Sequence, residues 1–325
     1  MSSRAAREPI HAGFSILTSF AHGPMVGGER EKKTQTKTGG AKGRSIFFFR
    51  TAGILLLVGV FSPAIFSSGR AAQRKVTEPM AKAGAADEHE IKVLPIFFIP
   101  SDGKAPSPEQ EQKLMKHVKW ARQRYHELLG GTDTFEMAKD QVVVYKSKKP
   151  MSFYRAAPEG STPVCLSEML EYFKTNRNDA PYVFLILVMN SADKFPNGGG
   201  RPINGGHDKG GGVILMATYA MDVMHNFQST LQHELGHSFG LLHPEAYGYD
   251  METSPSIMSY NKAHHTHDFQ PSPTPGIFIP EDLRALAMNK KEFPHFSYTP
   301  VGKISPKTPS LPPMDIPGQP AWSAR

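Results

Sequence analysis

The chain has 325 residues, 39% hydrophobic and 21% charged, which suits one large domain or two smaller ones and excludes wholesale disorder. Its single cysteine, Cys165, excludes an intrachain disulfide framework and a cysteine-based metal cluster. The net charge of +7 is concentrated in residues 1–50, with nine Lys/Arg against three Asp/Glu, so the nearly neutral remainder excludes a broad basic nucleic-acid surface and no nucleic-acid partner is expected.

Residues 1–45 are basic and polar, without helical or strand period, and read as disordered. An uncharged run over 51–69 follows Lys42, Arg44 and Arg50, with its apolar heart at 54–61. Two readings of 46–71 stay open. A signal peptide needs a basic flank, an apolar region of about 7–15 residues and small residues at the cleavage site. An uncleaved anchor needs about 20 apolar residues, and this run stands at the short limit. Met25 is an alternative start that would shorten the upstream extension. Both readings carry the rest of the chain out of the cytoplasm, secreted or periplasmic in the first case, and membrane-associated through 51–69 in the second. Residues 72–89 then read as a linker or pro-segment.

A catalytic-sized domain is expected over 90–298. Residues 93–99 have buried-strand composition between prolines. Ser107-Pro108 is a helix start, and Leu114, Val118, Ala121 and Tyr125 recur at helical spacing before Gly130-Gly131. A second strand is expected over 135–145 and a short amphipathic helix over 166–176. The apolar run 182–189 reads as a central buried strand. Residues 198–212 hold eight glycines in fifteen positions with no phosphate-loop Lys-Ser/Thr pair after them, and read as a flexible surface loop. One more short strand is expected over 213–217. A helix then runs from about Met221, with Met224, Phe227, Leu231 and Leu235 as its apolar stripe. After Pro294 the chain is proline-rich, and 299–325 reads as a disordered tail.

The chemistry-bearing stretch is His233-Glu234-Leu235-Gly236-His237-Ser238-Phe239-Gly240-Leu241-Leu242-His243. His233 and His237 lie one helical turn apart, so both imidazoles leave the same face. Two neutral imidazoles so placed are two legs of a tetrahedral zinc site. Gly240 can adopt the left-handed conformation that ends a helix. The chain can then turn and return His243 as a third ligand. On a continued helix, six residues would rotate His243 about 120° away from His237. Three protein ligands leave a fourth position open, which marks a catalytic rather than a structural zinc ion, Zn2+. Glu234 stands beside the first ligand as a general base for water.

The complete pattern His-Glu-x-x-His-x-x-Gly-x-x-His resembles that of the metzincin zinc metallopeptidases. Ser256-Ile257-Met258-Ser259-Tyr260, fifteen residues after His243, is similar to the Met-turn of that family. The resemblance implies that Met258 lies beneath the zinc ligands. It further implies that Tyr260, as in the serralysin and astacin branches, ligates zinc or hydrogen-bonds the oxyanion. His243-Pro244 with Tyr247 nearby resembles serralysins, although their calcium-binding glycine repeats are absent here. The implied fold is α+β, zincin-like: a mixed twisted sheet, two long helices and a small irregular C-terminal subdomain from His243 on. It implies also that the last strand before the active-site helix, here 213–217, is an antiparallel edge that pairs with substrate.

The expected activity is therefore zinc-dependent endopeptidase hydrolysis of a protein or peptide substrate. The alternative is a catalytically silent metzincin-fold binding module at the cell surface, against which the intact Glu234 counts. A membrane-anchored protein with a merely structural zinc would not leave a coordination position open. Cys165 fits a buried small hydrophobe better than a latency thiolate. His264, His265 and His267, with Asp268, form a small cluster that suits an exposed loop or a second metal site, and His207-Asp208 is a further ion-binding candidate.

Overall fold

The computed structural model describes residues 89–189, 198–206, 209, 211–264, 267–270, 272, 274–302 and 312–318. The expectations for 1–45, 46–71 and nearly all of 72–89 fall outside these residues, as do His207, Asp208 and His265. Among the described residues, no helix is long and apolar enough to cross a membrane.

Strand β1 (Lys92–Ile99) is buried on both faces, as its near-continuous apolar run requires. Helix α1 (Pro108–Leu128) follows. Ser107 closes a capping box with Gln110: its Oγ accepts from Gln110 N at 3.2 Å, and its own N–H donates to Gln110 Oε1 at 3.0 Å. Leu114, Val118, Ala121 and Tyr125 form one buried stripe, as their spacing predicts, and His117 is buried too, against Phe227 and Phe269.

Strand β2 is shorter than expected, Val143–Lys146, and residues near Met137 make a single bridge to Val93. Helix α2 (Met151–Arg155) was not foreseen, and α3 spans Ser161–Tyr172 rather than 166–176. Helix α3 stops early because Lys174 takes a left-handed conformation at φ 52°, and Asn176 Oδ1 turns to accept from the N–H groups of Asn178 and Asp179.

Strand β3 (Tyr182–Val188) is the predicted central strand. The expected glycine loop contains strand β4 (Gly199–Pro202), and β5 (Gly212–Ala217) follows. The described strands form one sheet of order β2-β1-β3-β5-β4, in which β4 alone is antiparallel to its neighbour. This corrects two expectations. The 213–217 strand is interior and parallel to β3, and the antiparallel edge is built from the glycine-rich segment.

The helix expected from Met221 is broken in two. Helix α4 covers Thr218–Val223, and α5 covers Phe227–Ser238. Met224 therefore lies in the intervening turn instead of on the stripe. The N-terminus of α5 lacks a cap from Asn226, and Asp268 supplies one from a distant loop, its Oδ1 accepting from Gln228 N at 2.9 Å.

One face of the sheet packs Val93, Phe97, Leu185, Leu187, Ile214 and Met216 against α1 and α5. The other packs Leu94, Phe98, Phe184, Ile186 and Leu215 against α2 and α3. This is the α+β arrangement expected, with helices α1 and α5 side by side on one face. From His243 onward the chain is irregular, with short 3-10 turns at Pro244–Tyr247 and Lys262–His264 before helix α6 (Pro280–Met288).

The tail also departs from expectation. Residues 312–318 pack back onto the second face, with Met314 and Ile316 buried, because two large apolar side chains among the prolines find room beside α3 and β4. Met314 N donates to Ile203 O at 3.0 Å, and Ser167 Oγ donates to Pro317 O at 2.9 Å.

Candidate metal centre

The site is assembled at the C-terminal end of α5. Gly240 has φ 88° and ends the helix in a Schellman motif, with Leu241 N donating to Gly236 O at 2.9 Å and Gly240 N to His237 O at 3.0 Å. The reversal carries His243 back over the helix. His233, His237 and His243 then bring their Nε2 atoms within 3.0–3.3 Å of one another. They form the one group of three or more potential metal ligands found among the described residues.

The hydrogen bonds decide which nitrogens carry protons. His233 Nδ1 faces Ile257 O at 3.1 Å, and His237 Nδ1 faces Leu241 O at 2.9 Å. A carbonyl only accepts, and a neutral imidazole has one N–H, so Nδ1 is the donor in both rings and Nε2 keeps its lone pair. Burial lowers the pKa of His237 to about 4, reinforced by the His243 charge and opposed by the Leu241 carbonyl. Burial lowers His243 too, against the pull of Glu245. The His237 and His243 rings are therefore neutral near pH 7.

Lone pairs at these distances repel, and a cation among them converts that repulsion into coordination. Tetrahedral zinc–imidazole bonds of about 2.0–2.1 Å set ligand nitrogens about 3.3 Å apart, close to the spacing found. The donor set fits zinc.

Glu234 is nearly buried, and its Oε2 accepts from Gly200 N on β4 at 2.7 Å. Burial raises its carboxyl to about 7, and the Gly200 N–H pulls the other way. Tyr260 places its hydroxyl 3.4 Å from His243 Nε2, with its ring stacked near His233. Burial, with Glu234, Glu245 and Glu252 nearby, raises the Tyr260 pKa and keeps the phenol protonated.

Met258 is fully buried against Gly236, where a Cβ would lie 2.3 Å from its Sδ. The turn that carries it is held from α6. Ser256 Oγ donates to Asp282 Oδ2 at 2.8 Å and accepts from Met258 N at 3.0 Å. Asp282 is buried, and burial raises its carboxyl to about 7 against the Ser256 and Ile279 donors.

All the predicted site residues thus gather in one place. Sequence reasoning missed Gly200 and Asp282, and it gave Ser256 a place in the turn without its hydrogen bonds. The available signal for Asp282 was its place in the first turn of a Pro280-led helix. Other candidates separate from the site. Cys165 is buried in the core under the opposite sheet face, where burial pushes its thiol up strongly. His264 and His267 belong to no three-ligand group among the described residues.

No protein-family model matches the chain, and no curated protein is significantly similar to it. Among solved structures the chain is similar to wild-type OgpA from Akkermansia muciniphila, with TM-score 0.39 at 17% identity over 69% of this chain and 67% of that one. It is similar to catalytically inactive OgpA from the same organism in complex with an O-glycopeptide substrate, with TM-score 0.40 at 18% identity over 71% and 68%. Archaemetzincin from Methanopyrus kandleri gives TM-score 0.26 at 18% identity over 52% and 82%.

Proposed function

We propose that this protein is a zinc-dependent endopeptidase. The observation that carries the reading is the convergence of three imidazole Nε2 atoms, from His233, His237 and His243, beside a buried carboxylate that is not part of the cluster. When bound, zinc supplies Lewis acidity and brings the pKa of water near 7.

The chain's own residues do the rest. Glu234 Oε2 is fixed by Gly200, which leaves Oε1 to take a proton from the attacking water and to deliver it to the leaving amine. The Tyr260 hydroxyl donates to the oxygen that develops negative charge on the scissile carbonyl. The Ile257 and Leu241 carbonyls fix the tautomer of two ligand rings.

The test uses the full chain. Wild type and Glu234→Ala should each bind one zinc per chain. Wild type should cleave members of a quenched-fluorescent peptide library until a chelator is added, and Glu234→Ala should cleave none. Zinc binding without any cleavage by wild type supports the silent-module alternative, and absence of bound zinc refutes the reading. We further propose that the catalytic domain works outside the cytoplasm, on the basic flank and apolar run of 42–69 in the sequence. Fractionation of the expressing cell tests this, and a cytoplasmic pool alone would refute it.

A further inference from the structure

Backbone groups on an antiparallel strand point alternately toward and away from the partner. Ile203 N donates to Gly211 O at 2.9 Å, which fixes the phase of the β4–β5 ladder. Residues 199, 201 and 203 face β5, and residues 200 and 202 face the open side. A peptide laid along a free edge would exchange N–H and C=O bonds with such outward residues.

This edge has no donor to give. The Gly200 N–H is bonded to Glu234 Oε2 at 2.7 Å, and Pro202 has no N–H. Pro202, the other outward residue, is buried, and the Met314 N bonded to the adjacent Ile203 O shows that 312–318 lies against that end of the strand. Along β4 the Gly200 carbonyl remains.

The arrangement depends on glycine. A Cβ at 200 would lie 2.0 Å from the Glu234 backbone oxygen, and one at 212 would lie 2.6 Å from Ser238 O, one helical turn along. Helix α5 thus lies backbone to backbone against β4 and β5, within reach of the strand's outward N–H.

We propose that Gly200 is a positioning residue that acts on both partners of the reaction. Its N–H holds the general base at the strand edge, and its carbonyl is the one main-chain group of β4 that a bound peptide meets. This rests on the peptidase reading above. Along Gly199–Pro202 the peptide then makes a single strand-type bond, as donor, and its side chains add to its affinity. The preferred substrate carries an unsubstituted N–H opposite Gly200, and proline at that position is rejected.

Two measurements test the proposal on the full zinc-loaded chain. The first is amide hydrogen exchange resolved at Gly200. Exchange should be slow in wild type and in Glu234→Gln, whose amide oxygen still accepts. It should be about tenfold faster or more in Glu234→Ala, as befits loss of a charge-assisted bond. Equal exchange in wild type and Glu234→Ala overturns the contact. The second is an N-methyl scan of a cleaved peptide. One position other than the scissile amide should lose about tenfold or more in kcat/KM, chiefly through KM, while other positions stay within about threefold. Two or more sensitive positions at alternate spacing indicate full strand pairing and overturn the carbonyl's role, as does a scan with none. If no peptide is cleaved in a chelator-sensitive way, the peptidase reading and the carbonyl's role fall together, and the exchange measurement still decides whether Gly200 holds Glu234.

Discussion

Gly236 stands between His233 and His237 on α5, and its missing side chain makes room for Met258. A Cβ there would lie 2.3 Å from Met258 Sδ, 3.0 Å from its Cε and 3.3 Å from the Tyr125 hydroxyl. Two effects oppose each other in Gly236→Ala. Helix propensity favours alanine by about 1 kcal/mol. Overpacking a close-packed site costs about 1–3 kcal/mol, and a contact this short, against a fully buried thioether, belongs at the upper end. The expected net loss is about 1–2 kcal/mol, or on the order of 5 °C in Tm for a domain of this size. Met258→Ala alone should cost about 2–5 kcal/mol. In the double variant the new methyl enters the space the thioether vacates, so about 1–3 kcal/mol should be recovered relative to the sum. Urea denaturation of the four proteins, with and without zinc, reads these differences. Zinc affinity should also fall in Gly236→Ala, because Met258 moves with its turn and the Ile257 carbonyl of that turn holds His233 Nδ1 at 3.1 Å. Loss of such a partner weakens metal binding by about 10–100-fold. Strict additivity of the two substitutions, or an unchanged zinc affinity, would refute the reasoning.

Asp282 makes stability pH-dependent. Burial raises its carboxyl from 3.8 to about 7, so the folded state keeps a proton that the unfolded chain has lost. The advantage of the neutral acid is full below about pH 4 and disappears as pH rises through about 7, a span worth on the order of 4 kcal/mol. Asp282→Asn keeps an acceptor for Ser256 and Ile279 but cannot ionise. Its stability should decline less than that of wild type between pH 4 and 8 in urea titrations, and parallel curves would contradict the assignment. At the other end of the fold, Met314→Ala and Ile316→Ala should each cost about 2–5 kcal/mol, because both side chains are buried on the second sheet face. Denaturation midpoints indistinguishable from wild type would show that 312–318 is not part of the packed unit.

The sequence showed most clearly what local chain geometry determines. Four-residue spacing puts His233 and His237 on one face, and the left-handed Gly240 is what a helix-ending glycine between the second and third histidines requires. Strands β1 and β3 showed through their apolar runs because both faces of the sheet are covered. The groups that orient the site come from afar. The Gly200 donor lies 34 residues before Glu234, the Ile257 carbonyl lies 24 residues after His233, and Asp282 lies 26 residues after Ser256. No local period connects such pairs, and the sheet and the turns bring them together. The break between α4 and α5 was hidden for the same reason, since the cap that permits it belongs to Asp268.

The glycine-rich segment is the instructive error. Eight glycines in fifteen positions look like freedom, because glycine costs the most backbone entropy to order. That inference treats the missing side chain as a gain for the unfolded state alone. It has a second consequence in the folded state, where two backbones can approach as nothing else allows. Cβ atoms at Gly200, Gly211 and Gly212 would lie 2.0, 1.7 and 2.6 Å from the backbone oxygens of Glu234, Tyr182 and Ser238. These positions are among the tightest contacts in the protein. Two of these contacts are with α5, which carries Glu234 and two of the three histidines. The entropy lost in ordering Gly200, Gly211 and Gly212 is therefore coupled to the approach of α5 and β3 to these strands, and a change of Gly200 to alanine should act first on the position of Glu234 and only then on the sheet.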